Sequence, residues 1–310
     1  MLRSTIAHRA NLVVRASIVA AAGMVLAACG SSETDVAASV SDGAPAESRS
    51  AETSLTNAAL DECAQENLTT ITPGALTIGT DSPAYPPFFS EDDPSNGEGF
   101  ESAVAYAIAD QLGFAPAEVA WEIVPFSSAL APGKKNFDFD INQISITAER
   151  AEVVDFSDGY YAVNQAVVAL ADSSIASATT VAELKDATLG AQFGTTSLAL
   201  IEEDIQPDTD AFVYDDFAEA RAALRSGQID GIVVDLPSAS FITSGEIENS
   251  KIVGQFPENM GGSQFGLLFQ KGNPLVGCVN KALGSLVASG ELQNIQDTWL
   301  TGATVPYFSD

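Results

Sequence analysis

The sequence predicts an α/β fold divided into two lobes. Three observations predict it. Apolar strands alternate with helices in two successive series, one from Leu76 to Leu170 and one from Val181 onward, the alternation that builds α/β layers. Each series ends a strand on a lone charge, Arg150 in the first and Asp235 in the second. No solenoid-length repeat is present, and neither G-x-x-x-x-G-K-[ST] nor G-x-G-x-x-G occurs, which removes the common phosphate-cradling loops.

The 310 residues suffice for one large or two medium domains, and 46% hydrophobic content allows a substantial core. The net charge is -29, a surface that repels nucleic-acid phosphates and anionic lipid heads. The single histidine is His8. It falls in a leader, so the remaining chain has no imidazole for a Ser-His-Asp triad or a zinc site. That leader, residues 1–28, has a basic start (Arg3, Arg9, Arg15) and an apolar run from Ala16 to Ala28 that is short for a membrane span. It closes on Leu26-Ala27-Ala28-Cys29-Gly30. This ending resembles the bacterial lipobox, which implies cleavage before Cys29 and lipid on its thiol; an ordinary secretory signal is the alternative. Residues 29–58 are rich in Ser, Ala, Glu, Asp and Thr and read as a disordered tether. Cys63 and Cys278 are too few and too far apart for a metal knuckle. In an exported chain they form a disulfide or stay as buried thiols.

In order, Leu76 to Thr80 reads as a strand, followed by the proline-stiffened loop Asp81 to Phe88. Glu91 to Glu98 is a polar excursion. A helix runs from Gly99-Phe100-Glu101 to about Leu112 and stops at Gly113. Trp121 to Pro125 and Asn136 to Ser145 read as strands, then Val153 to Phe156 and a long strand from Tyr160 to Leu170. The second series has a short helix at Val181 to Leu184, a strand at Thr188 to Gln192, and a hydroxyl-rich turn into a helix at Thr196. Ala211 to Tyr214 is a strand, Phe217 to Ser226 a helix, Gly231 to Asp235 a strand and Leu236 to Thr243 a helix. Strands at Ile252 to Phe256 and Phe265 to Phe269 precede C-terminal helices at Pro274 to Leu286 and Leu292 to Leu300.

The charged and aromatic strand ends each carry two readings. Arg150 grips a carboxylate or pairs on the surface with Glu149 or Glu152. Asp235 binds a cation or caps a helix. The turn at Thr195 and Thr196 offers N–H groups to an anion or merely caps its helix. Tyr85 and Phe126 offer ring faces or simply pack.

Gly79-Thr80-Asp81…Tyr85-Pro86-Pro87-Phe88, Gly99-Phe100-Glu101, Ser145-Ile146-Thr147…Glu149-Arg150, Asp155-Phe156-Ser157…Tyr160-Tyr161, Gly194-Thr195-Thr196 and Asp230-Gly231…Asp235 occur in unbroken order. Together they resemble the family 3 extracellular solute-binding proteins, the amino-acid receptors of ABC importers. The resemblance implies a two-lobe periplasmic-binding-protein-like (type II) clamp with two hinge strands, near Asn164 and Gln264. Lobe 1 would hold residues 59–163 and 265–310, and lobe 2 residues 164–264. It implies that Arg150, with Ser145 and backbone N–H groups near Thr195 and Thr196, binds an α-carboxylate. Asp235, helped by Gln143, would bind the α-ammonium. Tyr85 and Phe126 would sandwich the side chain, with Asp81 and Gln192 at its polar end. Cys63 and Cys278 would tie the N-terminal segment to a C-terminal helix. Two departures are visible: Gln143 where relatives often have Ser or Gly, and Ala131-Pro132-Gly133-Lys134-Lys135, which brings Lys134 or Lys135 toward the rim.

The expected function is therefore an extracytoplasmic receptor for a polar amino acid, glutamine or a basic one. It would be monomeric, held at the membrane only by lipidated Cys29, with an ABC permease as partner and no cofactor, metal or nucleic acid. Two other classes compete. One is a cyclohexadienyl-dehydratase-like enzyme on the same fold, which needs an acid with a raised pKa in the cleft. The other is a ligand-sensing surface lipoprotein.

Overall fold

The structure is a computed structural model, and it describes residues 62–300, 302 and 304–309. The expected leader, tether and lipidated Cys29 lie outside the described residues. No helix among the described residues is long and apolar enough to cross a membrane.

The first series begins with strand β1 (Leu76–Thr80), whose side chains are all buried, and helix α1 (Phe100–Gln111). Phe100, Val104 and Ile108 are fully buried on one face of α1, at the spacing that marks a core-facing stripe. Gly99 starts the helix at φ 100°, and a Cβ there would lie 2.4 Å from the Phe88 carbonyl oxygen. Only glycine fits both conditions. Strand β2 (Val119–Ile123), helix α2 (Phe126–Leu130), strand β3 (Phe139–Asp140), helix α3 (Ala148–Val153) and strand β4 (Val154–Phe156) follow. Strand β5 (Tyr161–Val163) then leads out of this lobe.

Two sequence expectations change here. The strand expected over Asn136 to Ser145 shrinks to β3, with Ser145 making only an isolated bridge to Phe265. Gln143 at φ 48° turns the chain out of the ladder, a conformation no strand residue holds. The strand expected over Tyr160 to Leu170 splits into β5 and β6 (Gln165–Leu170), which pair in different sheets. Asn164 is the crossing point.

The second series is β6, β7 (Leu189–Gln192), α4 (Thr196–Ala199), β8 (Phe212–Tyr214), α5 (Phe217–Ser226), β9 (Gly231–Asp235), α6 (Leu236–Phe241) and β10 (Ser250–Gln255). Helix α5 is capped by Asp216 and stopped by Gly227 at φ 70°. The chain returns through β11 (Ser263–Phe265) to β12 (Leu268–Gln270), α7 (Leu275–Ser289) and α8 (Glu291–Trp299).

The strands form two five-stranded mixed sheets, ordered β2-β1-β3-β12-β4 and β10-β6-β9-β7-β8. Parallel pairs β1–β2, β1–β3, β7–β8 and β7–β9 join antiparallel ones in each. Both sheets are covered on two faces. In the second lobe one core holds Val167, Leu189, Ile201, Val233 and Phe256, and the opposite core holds Val168, Leu224, Ile232 and Ile242. Double-sided burial is why β6 and β9 read as continuous apolar runs rather than alternating ones. The two-stranded ribbon β5–β11 links the lobes.

The end of the chain departs from the expected boundary at 265–310. Tyr307 bridges Gln255, Ser309 bridges Thr180, and Phe308 is buried against Phe256 at 5.0 Å between ring centroids. The last residues therefore belong to lobe 2, because Phe308 finds its apolar cover there and not on α7 or α8. A further crossing segment accordingly joins the lobes after Trp299.

Cys63 and Cys278 are disulfide-bonded, closing a loop with a sequence separation of 215. The bond ties the segment before β1 to α7 inside the first lobe. Reduction is expected to lower the melting temperature, since loops this long carry up to about 5 kcal/mol in the chain-entropy account. An unchanged melting curve in reductant, checked by mass for complete reduction, would show the bond to be energetically idle.

Candidate functional site

A cavity of about 340 Å³ lies between the lobes, at the C-terminal ends of β1, β7 and β9. Open α/β sheets bind ligands at such ends, and this volume is at the small end of the ligand-pocket range of about 300–1,000 Å³. Every expected binding residue lines it: Asp81, Tyr85, Phe126, Gln143, Ser145 and Arg150 from lobe 1, and Gln192, Thr195, Thr196 and Asp235 from lobe 2.

Arg150 sits in the first turn of α3, which Thr147 caps by accepting from the Arg150 N–H at 3.1 Å. Its guanidinium donates to the Ser145 carbonyl at 2.7 Å and, across the cleft, to the Gly194 carbonyl at 2.8 Å. No ion pair with Glu149 or Glu152 occurs among the described residues, so the surface-pair reading does not hold. Burial lowers the Arg150 pKa, and the charges of Asp235 and Glu149 oppose that.

Asp235 ends β9 and is the residue before α6, but its side chain makes no capping bond. It accepts from Gln165 Nε2 instead, at 2.5 Å. Burial pushes its carboxyl up to about 7, while the Gln165 bond and the Arg150 charge pull the other way. Ser145 Oγ lies 2.8 Å from Ser263 Oγ and 3.4 Å from Thr196 Oγ1, a chain of hydroxyls joining both lobes and the hinge ribbon. Thr195 caps α4 by accepting from Leu198 N–H.

The aromatic residues hold arginines. The Arg150 guanidinium is 5.7 Å from the Phe126 ring centroid, and that of Arg221 from lobe 2 is 4.2 Å from the Tyr85 ring. Tyr85 also meets Phe217 edge-on at 5.4 Å. Rings that attract protein cations have the electrostatics to attract a ligand cation. Arg221 is itself neutralised by Glu246 at 2.8 Å.

Asp81 accepts from the N–H groups of Ser82 and Phe126. Burial raises its pKa, those bonds lower it, and the nearby Asp216 charge raises it further. Asp215 and Asp216 also line the cavity, and sequence reasoning missed them. The strand-end rule finds them, since they follow Tyr214 at the end of β8. Asn142, 8% exposed, was missed too; it lines the cavity with its Nδ2 unpartnered. The Gln143 side-chain nitrogen is committed to Glu101; the expected help to an ammonium, from its carbonyl or side chain, would come from its oxygens. Neither lysine of the 131–135 segment lines the cavity. Lys135 is buried, its Nζ donating to the carbonyls at the end of α2, Ala129 among them at 2.6 Å, and Lys134 is exposed.

A hinged pair of α/β lobes enclosing a cavity with one cationic and several anionic groups defines a clamp for small polar ligands. The chain belongs to the bacterial extracellular solute-binding proteins, family 3, whose sequence pattern its residues 76–302 match. It is 30% identical to the L-cystine-binding protein TcyJ of Escherichia coli K12 over 75% of this chain and 84% of that one. It is 29% identical to the arginine-binding extracellular protein ArtP of Bacillus subtilis over 73% and 86%. Among solved structures, an ancestral arginine-binding protein bound to arginine superposes with a TM-score of 0.62 at 30% identity, over 74% of this chain and 99% of that one.

Proposed function

We propose that the protein is an extracytoplasmic receptor that captures a free amino acid with a cationic side chain and hands it to an ABC importer permease, anchored outside the cell through lipidated Cys29. The observation that carries this reading is the arrangement of charge in one cavity: Arg150 and Asp235 for the two ends of the zwitterion, and Asp81 opposite Asp216 for a second positive group. A buried zwitterion needs a cation and an anion at fixed separation. Asp81 and Asp216 come from different lobes and repel across the cleft. A ligand cation between them turns that repulsion into attraction, so closure is favoured only with the right ligand. Relatives that bind arginine support this preference; the cystine-binding relative makes cystine the main competitor.

The test is a thermal-shift screen of the twenty amino acids with ornithine and cystine, followed by calorimetry. Arginine, lysine or ornithine is expected to raise the melting temperature most, since stabilisation grows as RT ln(1 + [L]/Kd). A larger shift from glutamine or cystine would overturn the cationic assignment while keeping the receptor. A dehydratase is the second reading, and the raised pKa of Asp235 within the cavity favours it. Turnover of a cyclohexadienyl acid by the purified protein would replace the receptor reading.

A further inference from the structure

Glu101 is outside the cavity lining, yet it holds part of that lining in place. It is 0% exposed. One carboxylate oxygen accepts from the Gln143 main-chain N–H at 2.7 Å and from the Tyr160 hydroxyl at 2.5 Å. The other accepts from Gln143 Nε2. Gln143 is a non-glycine residue in left-handed backbone, at φ 48°, a conformation that persists only where the surroundings over-determine it. Both bonds from Gln143 to Glu101 supply that constraint.

The bonds also set the polarity of the wall. Glutamine carries donors on both nitrogens and acceptors on both oxygens. With the main-chain N–H and the side-chain nitrogen bonded to Glu101, the Gln143 oxygens are the polar atoms that carry no bond to it. We propose that Glu101 is a positioning residue for ligand recognition: by accepting from both nitrogens of Gln143 it fixes the left-handed turn and directs Gln143 acceptors to the ammonium group that enters beside Asp235. This rests on the amino-acid reading above.

The device works while Glu101 is an acceptor on both oxygens, which requires the ionised form. Burial pushes its carboxyl up to about 7; the bonds from Tyr160 and Gln143 lower it, and the Asp235 charge raises it. The other titratable groups facing it are Tyr160 on the loop before β5, Asp140 on β3 and Asp235 on β9. Arg150 acts on Asp235. A bound cation favours the ionised forms of both Glu101 and Asp235, so binding near neutral pH releases protons from both.

The experiment is calorimetry in buffers of different ionisation enthalpy, on the full chain, at several pH values from 6 to 8. The probe is whichever of L-arginine, L-lysine, L-glutamine and L-cystine shifts the wild-type melting temperature most. Glu101→Gln is expected to weaken binding at least about 10-fold at pH 8 and to reduce the protons released at pH 7 by about half, since one of two titrating groups is gone. Gln143→Gly keeps the left-handed backbone but removes one donor from Glu101, and is expected to weaken binding and to move the pH midpoint of affinity upward. Tyr160→Phe removes one donor from Glu101 without touching Gln143, and is expected to move the pH midpoint of affinity upward. A folded Glu101→Gln variant with wild-type affinity and unchanged proton release would overturn the proposal. If that variant does not fold, an unmoved midpoint in Tyr160→Phe overturns it. Failure of every probe to bind the wild type would instead sink the amino-acid reading, and this proposal with it.

Discussion

Arg150→Ala is expected to weaken amino-acid binding by about 30- to 5,000-fold while the protein still folds. Removing one partner of a buried, hydrogen-bonded charge pair costs about 2–5 kcal/mol, much of it the penalty of leaving the other charge unpaired. In the proposed complex that other charge is the ligand carboxylate. The folding cost is smaller. Arg150 gives up its bonds to the Ser145 and Gly194 carbonyls and its position over Phe126, and net contributions of single hydrogen bonds run at about 0.5–1.5 kcal/mol. Alanine is also the best helix former for its place in α3. Calorimetry with the best ligand from the screen, paired with a thermal melt, reads both effects. Near-native affinity would remove Arg150 from the carboxylate role.

Asp235→Asn is expected to separate stability from binding, with opposite signs. The Asp235 carboxyl titrates at about 7 in the folded protein, against 3.8 as its ordinary value. A carboxyl whose folded pKa is raised binds its proton more tightly folded than unfolded. Stability therefore falls as pH rises from about 4 to 7, and the penalty is complete above 7. Asparagine has no charge to desolvate and can still accept from Gln165, so the penalty disappears. The melting temperature of the variant relative to wild type is expected to rise between pH 5 and pH 8. Glu101 titrates in the same range and the Asp235 charge raises its pKa; the substitution removes that repulsion too, which shifts the difference in the same direction. Binding moves the other way, because the ligand ammonium loses its counter-charge, a loss of about 2–5 kcal/mol. A variant equally destabilised at both pH values would show that the carboxylate is well solvated, and unchanged affinity would remove it from the ammonium role.

The order of elements was legible because its signals are local. Helix α5 begins after a capping Asp216 and ends at Gly227, and both signals are carried by single residues. Strand β9 reads as a strand because burial on both faces leaves four residues, Gly231 to Val234, with no polar interruption before Asp235. The Asn136 to Ser145 stretch misled for the same reason in reverse. Ile141 and Ile144 are fully buried, and apolar content alone does not reveal that Gln143 turns left-handed to meet Glu101 forty-two positions earlier in the chain. Phe308 likewise carries no local sign of which lobe will cover it.

For the cavity, residue types alone left two readings each at Arg150 and Asp235, and the structure brings both side chains into its lining. Residue types did not suffice at Tyr85 either, where the sequence holds no trace of the Arg221 guanidinium stacked on it. By itself the sequence determined the two α/β series, which follow from period, capping and strand-end chemistry, all short-range. The family and ten of the side chains that line the cavity came from six ordered motifs resembling that family. The tertiary structure alone decided how the donors and acceptors are spent. It gave the Gln143 nitrogens to Glu101, the Asp235 oxygen to Gln165, and the chain end to the second lobe. Hydrogen bonds between residues far apart in sequence are settled by geometry, and geometry exists only once both lobes have folded.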